Sequence, residues 1–120
     1  MKTIMTVDDS PSLRQMVSVV LQGAGYEVLE ASDGSDALSK LKGREPHLIL
    51  SDINMPNMDG LEFTRQLRAT PEYKFIPVVL LTTESNPEKK QQGKAAGATA
   101  WIVKPFTPDQ LLAVVNKVLR

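Results

Sequence analysis

The stretch LILSDINMPNMDG, Leu48 to Gly60, decides how this chain is read. Leu48, Ile49 and Leu50 are an apolar run with the look of a buried strand, and a carboxylate, Asp52, comes straight off its end. Asn54 follows, and then Met55-Pro56 and Asp59-Gly60 break the direction of the chain. A core strand that delivers an acid at its tip raises the question of what that acid faces.

Working outward, short β-rich runs alternate with stretches of helical spacing. Upstream, Thr3 to Val7 reads as a strand, and Ser10-Pro11 as an N-cap with Pro at the first helical position. Leu13, Met16, Val17, Val20 and Leu21 then recur at the spacing of one buried helix face, which Gly23 ends. Glu27 to Glu30 alternates polar and apolar, as an edge strand does. A second helix from about Ser35 to Leu41 turns Ala37, Leu38 and Leu41 inward.

Downstream, Asp59 can cap a helix with Phe63, Thr64 and Leu67 on its inner side, and Ile76 to Leu81 is a continuous apolar strand with Pro77 near its start. Asn86-Pro87 opens a fourth helix, PEKKQQGKAAG, whose only apolar side chains are alanines. Gly93 in its interior costs ~1 kcal/mol relative to Ala, so this helix is expected to be loosely held. Trp101 to Val103 makes a fifth strand. Thr107-Pro108-Asp109-Gln110 supplies a cap, a Pro at the first helical position and a capping-box Gln. The last helix shows Leu111, Leu112, Val114, Val115, Val118 and Leu119, a stripe wider than packing on one side requires.

Strict β-α alternation, five times over, means a parallel sheet with helices on both faces, an α/β class. Right-handed crossovers favour an open, doubly wound sheet, with the Glu27 strand at one edge and the Trp101 strand at the other. A chain of 120 residues suits one domain, 1–120, with no repeat or linker inside it. Lys plus Arg and Asp plus Glu stand at 14 each, so no global field draws in nucleic acid or an acidic membrane. The absence of cysteine removes disulfides, thiolate catalysis and Cys-ligated zinc. The N-terminus lacks a signal-peptide core, and no apolar run approaches the ~18 residues that span a bilayer. A soluble cytoplasmic protein is the expectation.

In open α/β sheets the ligand sits at the carboxyl ends of the strands, where the winding reverses. There the first strand ends in Asp8 and Asp9, the third in Asp52, the fourth in Thr82 and Thr83 and the fifth in Lys104. Carboxylates this close need a cation, since like charges at short range raise one another's pKa. Magnesium suits an all-oxygen donor set with no Cys or His at hand. His47 precedes a strand on the opposite edge and is read as a surface residue. Lys104 stands before Pro105, which holds it extended and lets its ammonium reach across the crevice. A divalent ion, a carboxylate, a hydroxyl and an ammonium fit phosphoryl transfer, with Asp52 as nucleophile, Lys104 neutralising the equatorial oxygens and Thr82 donating to one of them. Single-feature alternatives are structural: Asp8 and Asp9 as helix caps, Thr82 bonding the backbone, Lys104 a surface lysine.

TVDDS, SDINMPNMDG, LLTTES and IVKPFTPDQ, in this order and spacing, resemble the signatures of receiver domains of two-component response regulators along the full chain. The resemblance implies the flavodoxin-like fold, strand order 2-1-3-4-5. It implies that Asp52 takes a phosphoryl group from a histidine kinase, and that Asp8, Asp9, Asp52 and the Asn54 carbonyl hold Mg2+. By the same pattern Thr82 is the switching hydroxyl, Lys104 contacts the phosphoryl group beside a usually cis Pro105, and Trp101 stands at the switch aromatic, commonly Tyr or Phe. MPNMDG and KPFT, with Asn54 and Glu84 flanking the acid and the switch Thr as modulators of phosphoryl lifetime, look especially like chemotaxis regulators of the CheY kind. The implied protein is a monomeric signalling switch that catalyses its own phosphoryl transfer and autodephosphorylation. It carries no output domain and signals through its fourth helix, fifth strand and fifth helix to a partner such as a flagellar motor switch protein or a phosphatase. A stand-alone phosphorelay intermediate is the alternative. An aspartyl-nucleophile phosphatase normally has a second acid where this chain has Asn54. A flavin or nucleotide binder on this fold needs glycines that VDDSPS lacks.

Overall fold

The computed structural model describes residues 2–83 and 87–119. Five strands alternate with five helices: β1 (Thr3–Val7), α1 (Pro11–Gly23), β2 (Glu27–Ala31), α2 (Gly34–Leu41), β3 (Leu48–Asp52), α3 (Gly60–Ala69), β4 (Val78–Thr82), α4 (Pro87–Ala96), β5 (Ala100–Val103) and α5 (Pro108–Val118). All pairings are parallel, in the order β2-β1-β3-β4-β5. This is the doubly wound arrangement expected from the alternation, with β2 and β5 at the edges, in the flavodoxin-like order that the family resemblance implies. The winding reverses between β1 and β3, which places a crevice at their carboxyl ends.

Side chains alternate across the sheet and build two cores. Met5, Val7, Ile49, Val78 and Leu80 face Ala37 and Leu41 of α2, Leu61, Phe63 and Leu67 of α3 and Ala96 of α4. On the other face, Ile4, Leu48, Leu50, Val79 and Leu81 meet Val17 and Leu21 of α1 and Leu111 and Val115 of α5. β3 and β4 are buried at every residue, whereas β2 is exposed at Glu27 and Glu30. Each fully buried Leu, Ile or Phe contributes about 1.5–3 kcal/mol over an exposed one, so the central strands are the rigid part of the molecule.

Helix starts follow the local chemistry. Ser10 accepts from the Leu13 N–H ahead of Pro11, Asp59 accepts from the Glu62 N–H at 2.8 Å, and Thr107 and Gln110 form a complete capping box. Gly23 ends α1 as the sequence suggests, and beyond it Gly25 takes the left-handed φ of +93°. Other expectations need correction. Asp33 caps α2, accepting from the Asp36 N–H at 2.8 Å, so the helix begins at Gly34. Pro77 lies before β4, where its carbonyl accepts from the Ile49 N–H at 2.9 Å. The Asn86 cap lies outside the described residues.

Gly93 is more than a propensity cost. It is buried, and a Cβ there would stand 3.1 Å from Leu80 Cδ1, so its small size lets α4 close on β4. The wide stripe of α5 is also largely used. Leu112, Val114, Val118 and Leu119 pack against the second core, and the exposed large apolar side chains among the described residues are Met16, Val19, Phe75 and Val103, none of them on α5. His47 directly precedes the central strand β3, not one at an edge. It lies at the amino-end rim, far from the acids, where its Nδ1 accepts from the Thr3 N–H at 3.0 Å. Among the described residues no helix is long and apolar enough to cross a membrane.

Candidate functional site: an acidic crevice at the carboxyl ends of the strands

β1 and β3 are neighbours in register, so the residues that follow their last paired positions emerge side by side. Asp8 leaves β1 and is buried. Its backbone N–H donates to Ala31 O at 3.1 Å, and its Oδ1 accepts from the Ser10 N–H at 2.8 Å. Asp9 is exposed. Asp52, at the tip of β3, is 8 % exposed, and its Oδ1 accepts from the Ile53 N–H at 2.9 Å. One carboxylate oxygen from each of Asp8, Asp9 and Asp52 lies within 4.8 Å of the others.

Lys104 extends from the end of β5, its own N–H donating to Thr82 O at 2.7 Å, and its peptide bond to Pro105 is cis. The side chain crosses the crevice and puts Nζ 3.1 Å from Asp52 Oδ1 and 3.7 Å from Asp8 Oδ2. One ammonium thus faces two of three acids. Burial pushes the Asp52 carboxyl above its ordinary value of 3.8; Lys104 opposes that shift and the Asp8 charge adds to it. Desolvation wins because the acid is walled in by β1, β3 and β4.

Asp8 Oδ2 is buried and has no hydrogen-bond partner among the described residues. A hydrogen-bond acceptor left so in a low-dielectric wall, beside two further carboxylates, fits a hard divalent cation with oxygen ligands. The donor set is all oxygen, which suits Mg2+ over softer metals.

Thr82 is buried at the tip of β4, and Thr83 after it is exposed. Trp101 of β5 is half-buried against the first core, with the Lys90 ammonium 5.5 Å from its ring centroid. Between Thr82 and Trp101 lies a narrow apolar cavity walled by Ile53, Leu80, Lys90 and Gly93. Asn54 is exposed in the turn after β3; Asp8, Asp9, Asp52, Thr82 and Lys104 stand at the strand ends around the crevice, Trp101 lies within β5 across the cavity from Thr82, and Glu84 lies outside the described residues.

Two supporting residues escaped the sequence reading. Arg14, one turn into α1, donates to Asp8 O at 2.7 Å while its Nε pairs with Glu30 Oε1 at 3.0 Å, fastening the β1–α1 turn to β2. A lone arginine on a polar helix face gives no signal of that role. In the sequence Gly60 signals only a chain reversal. A Cβ at Gly60 would fall 2.2 Å from Asp52 O, so α3 can start hard against the end of β3 only with glycine there.

Fold and crevice together define a doubly wound α/β domain with an acidic site at the carboxyl ends of its strands. The chain belongs to the response regulator receiver domain family, whose model matches residues 4–116. It is 54% identical to the chemotaxis protein CheY4 of Vibrio cholerae, each chain covered over 99% of its length, with a TM-score of 0.95. PilH of Pseudomonas aeruginosa is 36% identical over 119 residues, 99% of this chain and 98% of PilH. The phosphate regulon transcriptional regulatory protein PhoB of the same organism is 40% identical over 119 residues, and there the chain spans only 52% of the relative's length.

Proposed function

We propose that this chain is a phosphorylation-activated switch in which Asp52 accepts a phosphoryl group from a histidine kinase. The observation that carries this reading is the Asp52 carboxylate held 3.1 Å from the Lys104 ammonium, with Asp8 and Asp9 beside it. Asp8, Asp9, Asp52 and the Asn54 carbonyl would hold Mg2+, which when bound neutralises the acids and the incoming phosphoryl oxygens.

The chain's own groups supply the rest. Asp52 is the nucleophile: an oxygen lone pair attacks phosphorus, the bond from phosphorus to the donor nitrogen breaks, and the imidazole leaves with that electron pair. Lys104 balances charge on the equatorial oxygens from a position already occupied in the resting molecule, so little reorganisation is needed. The Ile53 N–H, donating to Asp52 Oδ1, orients the attacking carboxylate. Thr82, at the adjacent strand end, is the hydroxyl drawn toward the new charge, and the cavity between it and Trp101 is the space through which that shift reaches β5. Hydrolysis of the acyl phosphate returns the switch, tuned by Asn54 and Glu84.

An apolar groove formed by Leu13, Met16, Thr83, Lys104, Pro105 and Phe106 adjoins the crevice and supports docking of the phosphohistidine-bearing partner. We assign the output to chemotaxis or motor control through protein contact, as a single cytoplasmic, monomeric receiver. Likeness to the chemotaxis protein CheY4 over 99% of both chains supports the chemotaxis output; a flagellar motor switch protein or a phosphatase is the partner class that the receiver resemblance implies. Similarity to PhoB, of which the chain spans 52%, favours a second reading, a receiver that serves a longer transcriptional regulator.

Incubation with acetyl phosphate and Mg2+ should add one phosphate at Asp52, lost in Asp52→Asn; equal labelling of that variant would refute the assignment. Beryllofluoride-dependent binding to motor switch proteins separates the two outputs.

A further inference from the structure

The turn between β3 and α3 carries Asn54 off the crevice, and its ends are firmly tied. The Ile53 N–H donates to Leu81 O at 3.1 Å and to Asp52 Oδ1 at 2.9 Å, and the Gly60 N–H donates to Ile53 O at 2.8 Å. Its middle is strained. Asn57 has φ +67°, the positive-φ non-glycine among the described residues, and the Met58 N–H donates to Pro56 O across it at 2.7 Å. An i to i+2 hydrogen bond around a residue at this φ is a γ-turn of the rare, strained hand. Such a conformation persists only where the surroundings hold it, and strain beside a site points to a role there.

Two contacts to α2 hold it. Asn57 Nδ2 donates to Asp33 Oδ2 at 2.8 Å, while Asp33 Oδ1 caps α2 by accepting from the Asp36 N–H at 2.8 Å. Both bonds favour the Asp33 carboxylate, whose pKa is lowered by the Asp36 N–H first and Asn57 second. Beside this pair Met58 lies across Gly34, where a Cβ would stand 2.9 Å from Met58 Cγ and Sδ. The helix cap is thus also a clamp on the turn, and Gly34 makes room for it.

We propose that the Asp33–Asn57 pair is a positioning device that holds the β3–α3 turn in the geometry for divalent-cation binding at the acidic crevice. It rests on the reading of that crevice as a Mg2+ site. Neither residue touches the acids: the pair acts through the backbone between Asn57 and Ile53. A supporting partner outside the ligand set typically changes metal affinity about 10- to 100-fold on removal, and this pair, several bonds away, belongs at the lower end.

The test is Mg2+ titration by calorimetry, with urea unfolding in the absence of the metal as the structural control. Asn57→Gly keeps the left-handed backbone accessible, leaves net charge unchanged and deletes the donor. It should weaken Mg2+ binding about tenfold. It should also slow labelling by acetyl phosphate at low Mg2+, with the wild-type rate regained at saturating Mg2+. Asp33→Ser, which keeps a capping oxygen, should weaken binding in the same direction. The exchanged pair Asp33→Asn with Asn57→Asp restores a hydrogen bond of reversed polarity at constant net charge, and should return affinity to within about twofold of wild type. Wild-type affinity in both Asn57→Gly and Asp33→Ser would overturn the positioning role while leaving the crevice reading intact. So would failure of the exchanged pair to recover despite wild-type unfolding. Absence of Mg2+ binding by the wild-type chain would overturn both.

Discussion

Replacing Lys104 with Met tests the electrostatics of the crevice most directly. Met keeps most of the aliphatic stem and removes an ammonium 3.1 Å from Asp52 Oδ1 and 3.7 Å from Asp8 Oδ2. The side chains of Lys104, Asp52 and Asp8 are 15%, 11% and 5% exposed, so water does not take the ammonium's place. At an effective dielectric of about 20, a pair at this separation is worth about 5 kcal/mol gross. Breaking a buried pair costs about 3–5 kcal/mol, because the surviving charge is left uncompensated. Asp52 limits the loss by taking up a proton, since its folded pKa already lies above 3.8 and rises further without Lys104. The sign follows. A carboxyl with a raised folded pKa stabilises the fold most below 3.8 and loses that contribution as pH rises through the folded value. The penalty of Lys104→Met is therefore smaller in acid and grows as pH rises, to about 2–3 kcal/mol at pH 7.5. With a urea m-value of about 1.5 kcal/mol/M, the midpoint falls by about 1.5–2 M at pH 7.5. Saturating Mg2+ should recover much of the loss by replacing the missing positive charge, and Asp52→Asn in the same background should recover it without metal. An unchanged midpoint at pH 7.5, or a loss that ignores both pH and Mg2+, would show that the pair contributes nothing to the resting fold.

Three further outcomes follow from the same geometry. Gly60→Ala puts a Cβ 2.2 Å from the Asp52 carbonyl oxygen, and thermal melts should show a loss of about 3 kcal/mol together with slower acetyl phosphate labelling as Asp52 is displaced. Arg68 donates to Gly97 O at 3.0 Å, Ile76 O at 2.8 Å and Lys74 O at 3.2 Å, so Arg68→Met should cost about 2–3 kcal/mol in urea unfolding and leave Mg2+ affinity unchanged. Burial raises the Asp52 pKa, so Mg2+ affinity measured by calorimetry should fall on acidification at a pH above 3.8; a midpoint below that value would contradict the desolvated setting of the acid.

The alternation of strands and helices, the caps at Ser10, Asp59 and Thr107 and the acids at the strand tips were legible in the sequence because periodicity and capping are local properties. The doubly wound sheet and its edge strands followed from alternation and right-handed crossovers, the full strand order from the family resemblance, and the crevice from where such sheets reverse their winding. The supports of the site were not legible. Arg14 beneath Asp8, Gly60 against the Asp52 carbonyl, Gly93 under Leu80 and Asp33 joined to Asn57 are ordinary polar residues or glycines until packing brings their partners within a few ångströms. Lys104 shows the division most clearly. Its place before Pro105 could be read directly, but its distance to Asp52, across β4, depends on how side chains stack between two strands and not on any neighbour in the chain. Which chemistry was available could be read along the chain; how far apart its atoms lie could not, because those separations are set by close packing across the sheet rather than by bonds along it.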